Sequence, residues 1–253
     1  MYERTSYAIN QCVFDQPWTG QAELENAVES PFPDESVDLF VTDPPYYDAV
    51  PYADLADFFY VWLKRTISEY HPHLFRAELT PKNEQTIVWH PNNLEEKRDF
   101  ENKMTKTMTE GRRILKHNGI GTVIFAHKST SGWEAMLQAM VDSGWIITGS
   151  WPIDTEMGTR MNARGTAALA SSIHLVCRPR ENPDGSLRDE IGDWRDVLSE
   201  LPGRIHDWMP RLAKEGVVGA DALFACLGPA LEIYSRYSRV EKANGEEVPL
   251  REY

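Results

Sequence analysis

The chain has 253 residues, of which 42% are hydrophobic and 11% aromatic, enough to build a core for one large domain and to exclude a globally disordered chain. Its formal net charge of −13 opposes unaided binding to a polyanion, because neutralising phosphates supplies most of the non-specific affinity for nucleic acid. Cys12, Cys177 and Cys226 form no CxxC pair, which argues against a zinc ribbon or a disulfide framework. No apolar run approaches the ~18 residues of a membrane span. The first residues lack the basic and apolar regions of a signal peptide, so a soluble, cytoplasmic protein with no membrane partner is expected.

Residues 1 to about 30 are weakly patterned, and "DQPWTG" reads as a turn. "SPFPDES" punctuates the chain before an apolar run, Val37 to Thr42, predicted to be a buried parallel strand. Asp43-Pro44-Pro45-Tyr46 follows at once. Leu55, Phe58, Phe59, Trp62 and Leu63 then recur at helical spacing, which predicts a helix from about Tyr52 to Tyr70 whose aromatic side packs on the sheet. Residues 71–93 form a long irregular stretch of the kind that often carries function. Its His71, His73 and His90 have no second cluster at ligand spacing, so no metal is expected there.

A second helix is predicted from about Leu94 to Lys116, with Phe100, Met104, Met108 and Leu115 on one side and Asn118-Gly119 as its stop. "GTVIFAHK" reads as a strand, and "SGWEAMLQAMVDSG" as a short amphipathic helix ended by Gly144. "WIITGSWPID" and "SSIHLVCRPR" are two further strands, the second burying an inert Cys177. Alternating strands and helices imply a parallel α/β sheet with right-handed crossovers. The last two strands have no helix between them and are expected to pair antiparallel, joined by residues 154 to 170. Helical pattern resumes over about 189 to 215, interrupted near Pro202, and again over about 219 to 240. The expected organisation is a weakly patterned segment, 1–30, an α/β domain, 31–180, and a helical extension, 181–253.

The turn at residues 43–46 is the candidate site. Two prolines after a strand fix an extended backbone. Such a turn can present a carboxylate, a backbone carbonyl and a ring to one small object. A plain strand-to-helix turn with an Asp cap is the simpler alternative.

A D-P-P-Y tetrapeptide in this position resembles the motif of the amino-methyltransferases, which methylate exocyclic nitrogens of adenine or cytosine with S-adenosylmethionine. The likeness extends to "PFPDESVDLFVTDPPYYDAVPYADLADFFYVWLKR", "FAHKSTSGWE", "SWPIDTE" and "ALASSIHLVCRPR". These segments resemble the large adenine-specific DNA methylases of bacteria and archaea over roughly residues 31 to 250. The resemblance implies a partial Rossmann-like methyltransferase sheet with an antiparallel last strand and a helical C-terminal extension. It also implies S-adenosylmethionine as cofactor and DNA as partner. In that chemistry Asp43 and the Pro44 carbonyl accept hydrogen bonds from the two N–H groups of the target amine, Pro45 helps keep the carbonyl outward, and Tyr46 stacks on the flipped base. An Asp at the first position permits adenine N6 or cytosine N4. RNA and protein-glutamine methylases, which usually carry Asn there, are the alternative substrate classes.

One departure from the family pattern bears on the cofactor. The resemblance calls for a Gly-rich turn after an upstream strand to wrap the methionine end. Here the only Gly-x-Gly is Gly119-Ile120-Gly121, which precedes a strand. About 36 residues lie before Val37, too few for three β-α units of roughly 30 residues each. The chain therefore reads as the C-terminal half of such an enzyme. A separate chain carrying the Gly-rich half, or self-association, would complete it; an inactive fragment is the other reading.

Further candidates surround the motif. Tyr47, Asp48 and Tyr52 extend the acceptor-and-ring surface toward a base or the cofactor, or else cap the helix and pack. His127 and Lys128 lie at the strand end where open α/β sheets bind ligands; His127 can touch the cofactor there or serve as a packed histidine. Arg160 and Arg164, in the segment between the last two strands, are candidates for substrate phosphates, against the alternative of a solvated loop.

Overall fold

The computed structural model describes residues 20–21, 24–47, 51–82, 85–90, 92–127, 129–154, 171–217 and 220–253. Asp48, Lys128, Arg160, Arg164, Cys12 and the "DQPWT" turn lie outside the described residues.

Four strands form the main sheet: β1 (Val37–Thr42), β2 (Leu115–Phe125), β3 (Trp145–Asp154) and β4 (Ser171–Pro179). Their spatial order is β1-β2-β4-β3. β1 pairs parallel with β2, while β4 pairs antiparallel with both β2 and β3. The expected reversed pair is therefore present, with β4 inserted between two strands that run the other way. The chain is mixed α/β, and among the described residues no helix is long and apolar enough to cross a membrane.

Helices α1 (Tyr52–Ile67), α2 (Leu94–Ile114) and α3 (Thr130–Asp142) follow their apolar spacing. Asn93 caps α2, accepting from the backbone N–H of Glu95 and Glu96, and Ser129 caps α3 through Gly132 N–H. Phe100, Met104 and Met108 from α2 join Trp133, Met136 and Met140 from α3 in one core. The strands supply Val123, Phe125, Trp145, Ile147, Ile173, Leu175 and Cys177 to the same core. Burying each such side chain contributes about 1.5–3 kcal/mol. Burial pushes the Cys177 thiol up, consistent with an inert packed residue. Along β2, residues 119, 121, 123 and 125 are buried while 120, 122 and 124 are partly open, so the sheet has one well-covered face.

The second helix does not stop at Asn118-Gly119. α2 ends at Ile114, and Leu115 is already extended, at φ −79° and ψ 134°. Leu115 pairs with Val37, and the register then shifts before Leu39 meets Ile120. Residues 116–119 are taken up in that irregularity, because pairing with β1 outweighs the local stop signal.

The aromatic side of α1 does not pack on the sheet. Phe58 is 67% and Trp62 56% exposed, and Leu55, Phe59 and Leu63 are exposed beside them. Only Ala53 of this helix is buried. The reason lies on the other side of α1, which is tied by polar contacts to the stretch that follows. Tyr60 Oη donates to Ala77 O at 2.8 Å, and Thr80 donates to Asp57 through both its backbone N–H and its hydroxyl. The covered face of β1 is meanwhile taken by α2, where Phe40 lies directly over Gly111.

The C-terminal region is more than helical. α4 (Trp194–Lys214) runs unbroken through Pro202 and Pro210, anchored in the core by Val197 and Leu212. Two short strands, β5 (Ile191–Asp193) and β6 (Arg239–Glu241), pair in parallel around it. Between them α5 (Ala220–Ser235) runs beside β3: Ile147 N–H donates to Ser235 Oγ at 3.0 Å, and Ser150 Oγ donates to Ala225 O at 2.9 Å. Leu231, Ile233 and Tyr234 enter the common core, so this region is packed onto the sheet.

Candidate functional site

Residues 30–36 deliver the chain into β1 and are held against the end of α2. Glu110 accepts Ser30 N–H at 2.6 Å and pairs with Arg113, whose Nη2 also reaches the carbonyls of Ser30 and Phe32. At the other end of β1, Asp43, Pro44 and Pro45 open onto a cavity of about 990 Å³. The volume is at the upper end of what small-molecule sites require. The wall is completed by residues 24–28, by Tyr52 at the start of α1, by Pro81, Gln85 and Thr86, and by Lys103 and Thr107 of α2.

Asp43 is exposed and Pro44 buried, so the carboxylate is open to solvent while the turn itself is packed. Tyr52 stands close enough to be affected electrically. Burial, reinforced by the Asp43 carboxylate, raises its phenol above the ordinary tyrosine range, and a backbone hydrogen bond with Tyr46 pulls the other way. The phenol therefore stays protonated and can donate or accept beside the carboxylate.

Gln85 and Lys103 come to this wall from different elements. Gln85 Oε1 accepts Ala53 N–H at 3.1 Å, and Lys103 Nζ donates to the Gln85 carbonyl at 3.3 Å while pairing with Asp99 at 2.8 Å. Val88 N–H donates to Tyr47 O at 2.9 Å, which fastens the irregular stretch to the motif.

Tyr46, Tyr47 and His127 are placed differently from Asp43 and Tyr52, and none of the three lines the cavity. The half-buried Tyr46 ring meets Phe125 edge-on at 5.5 Å. Tyr47 is buried, with its ring 5.0 Å from Phe100 and 5.8 Å from His127. His127 is buried against the start of α3. Its Nδ1 accepts from Ser129 N–H at 3.1 Å, and its carbonyl takes the Trp133 indole N–H at 3.0 Å. A Cβ at Gly132 would sit 2.3 Å from that imidazole, so only glycine permits this packing.

Sequence reasoning thus reaches Asp43, Pro44, Pro45 and Tyr52, and misses Gln85, Lys103, Thr107 and the 24–28 wall. Lys103 and Thr107 are four apart on the polar side of α2, a pattern that on sequence alone is an ordinary solvated face. Gln85 sits in a stretch with no period at all. Among the described residues no group of three or more His, Cys, Asp or Glu side chains can hold a metal ion. No protein-family model matches the chain, and no curated protein matches it significantly.

Proposed function

We propose that this chain is the catalytic half of a Rossmann-like, S-adenosylmethionine-dependent methyltransferase acting on an exocyclic amino group in DNA, adenine N6 in preference to cytosine N4. The observation that carries the reading is the Asp43-Pro44-Pro45 turn, which ends a parallel strand and opens on a cavity beside Tyr52. The strand order, with β4 reversed between β2 and β3, supports it as well.

An exocyclic amine is a weak nucleophile because its lone pair is delocalised into the ring. The Asp43 carboxylate accepts one of its N–H groups and the Pro44 carbonyl the other, drawing the nitrogen toward tetrahedral geometry and stabilising the positive charge that grows during attack. Holding the amine in line supplies much of the remaining acceleration. S-adenosylmethionine supplies the methyl group when bound.

The residues present fit the base better than the cofactor. Among the described residues no glycine-rich turn follows a strand, so the methionine end has no such cradle. A second reading therefore has a separate polypeptide supply that side. It is favoured by β1, which lies at the edge of the sheet with Leu39 and Val41 exposed.

The test is methyl transfer from labelled S-adenosylmethionine to DNA, RNA and protein, followed by identification of the methylated product. N6-methyladenine in DNA is the expected result. Label in RNA or protein alone would move the substrate class. A folded chain that binds deoxyadenosine without transferring label would favour the second reading, and one that does neither would remove both.

A further inference from the structure

The first turn of α1 is clamped to the wall of the cavity. Pro51, its cap residue, makes no side-chain cap hydrogen bond, and Gln85 Oε1 accepts the Ala53 N–H at 3.1 Å in its stead. Thr80 Oγ1 donates to the Ala53 carbonyl at 2.7 Å. Ala53 is buried between these bonds, whereas Tyr52, the first residue of the helix, is 44% exposed. The backbone that carries the Tyr52 ring is therefore fixed, and the ring itself is open to a ligand.

Tyr52 and Asp43 line the same cavity, and the phenol is tied to the turn that carries the carboxylate. Its oxygen accepts a hydrogen bond from the Tyr46 backbone N–H, the residue that ends the tetrapeptide. A phenol hydrogen lies near the ring plane on one of two sides of the oxygen, so an N–H on one side leaves the O–H to the other. Burial raises this phenol, and Asp43 raises it further by its charge alone, with no hydrogen bond between the two side chains. The carboxylate is thus close enough to be felt, while the phenol proton is not spent on it.

The wall therefore sets an acceptor, Asp43, beside a donor, Tyr52. The complementary ligand edge is an amino group next to a ring nitrogen. Adenine has it at N6 and N1, and cytosine at N4 and N3, whereas thymine and uracil present a carbonyl where the amine should be.

We infer that Tyr52 is a specificity residue of the site, its O–H donating to the ring nitrogen beside the amine that Asp43 holds. This inference rests on the amino-methyltransferase reading and adds to it a second point of base recognition. Gln85 and Thr80 support the arrangement by holding both backbone groups of Ala53, which fixes where the helix presents the ring.

The experiment titrates nucleosides into the full chain and reads binding by ligand-observed NMR. Deoxyadenosine is compared with its 1-deaza analogue, in which C–H replaces N1, and with deoxynebularine, which lacks the amine. Deoxycytidine and its 3-deaza analogue serve as the matching pair for a cytosine site. The wild type should prefer the parent nucleoside to its deaza analogue by about tenfold, the worth of one hydrogen bond. Tyr52→Phe keeps the ring and removes the hydroxyl, so this preference should vanish. The preference for deoxyadenosine over deoxynebularine, which belongs to Asp43, should remain in that variant. A parent preference that survives in Tyr52→Phe, or equal binding of parent and deaza analogue by the wild type in both pairs, would overturn the inference. Loss of both preferences together in Tyr52→Phe would overturn it as well, by assigning the phenol to holding the Asp43 turn. Discrimination against deoxynebularine by the wild type, and its loss in Asp43→Ala, reports separately on the underlying reading. A wild type that binds neither parent nucleoside overturns both.

Discussion

The two edges of the sheet are finished in opposite ways. At β3 the edge is closed by the chain's own helix α5, whose approach is so tight that a Cβ at Gly228 would lie 2.3 Å from the backbone of Gly149 and Ser150. Ile147 N–H of β3 donates to Ser235 Oγ of α5, and Gly228 N–H of α5 donates to Ser150 Oγ of β3 at 2.8 Å, so the helix is hydrogen-bonded to that strand through hydroxyls from both sides. At β1 no strand lies on the outer side among the described residues, and Leu39 and Val41 are more than half exposed. α1, close by in sequence, turns Phe58, Phe59 and Trp62 outward as well. At β3, by contrast, the exposed apolar residues Trp151 and Ile153 lie toward the end of the strand, beyond the Gly149–Ser150 contact with α5. On the side nearest the candidate site, apolar cover is missing over a whole strand edge and helix face. Unaided edges of this sort invite pairing with another polypeptide.

Substitutions at the two edges should therefore differ in kind. Gly228→Ala places a methyl against backbone that cannot move aside cheaply, and should cost about 1–3 kcal/mol, read as a drop in denaturant midpoint at unchanged m. A loss under about 0.5 kcal/mol would mean that α5 sits less tightly on β3 than the structure has it.

A smaller effect is expected where the chain enters β1. The Arg113 side chain, hydrogen-bonded to Glu110, holds the Glu110 carboxyl at about 2, well below the usual carboxylate range. Because the folded value is depressed, this stabilisation is present above the unfolded carboxylate pKa and is lost as pH falls toward about 2. Glu110→Gln should lower stability by about 1 kcal/mol near neutral pH, and its melting temperature should converge with that of the wild type in acid. A gap that persists at the acid end would assign the effect to packing.

The smallest effect on stability belongs to the open side. Trp62→Glu on α1 removes an exposed ring and should change stability by no more than about 0.5 kcal/mol, while reducing any concentration-dependent self-association seen by light scattering. A large loss of stability would show that the aromatic face is already covered in solution.

Much of this architecture is legible in the sequence because its signals are local. The strand Trp145–Asp154 falls on its apolar run, and α3 begins at its Ser129 cap. The exposure of α1 is not legible in the same way: helical spacing of Phe58, Phe59 and Trp62 says that one side is apolar but not what covers it. Asn118-Gly119 is a sound local stop that loses to pairing between Leu115 and Val37. β5 and β6, three residues each, are too short to show a period. In the site, the Asp43 turn announces itself by composition, whereas Gln85 matters only through a bond to Ala53 far along the chain. Tyr47 and His127 are polar residues beside the motif whose rings the fold uses for packing.

The most direct test of the central claim compares methyl transfer to DNA by the wild type and by Asp43→Ala, with circular dichroism to verify that both are folded. Label in DNA from the wild type and a fall of at least about a hundredfold in the variant is the expected result, the scale set by removing one aligned charge-stabilising group. Equal labelling by the two proteins, or label confined to RNA or protein, would contradict the assignment of Asp43 to the amine.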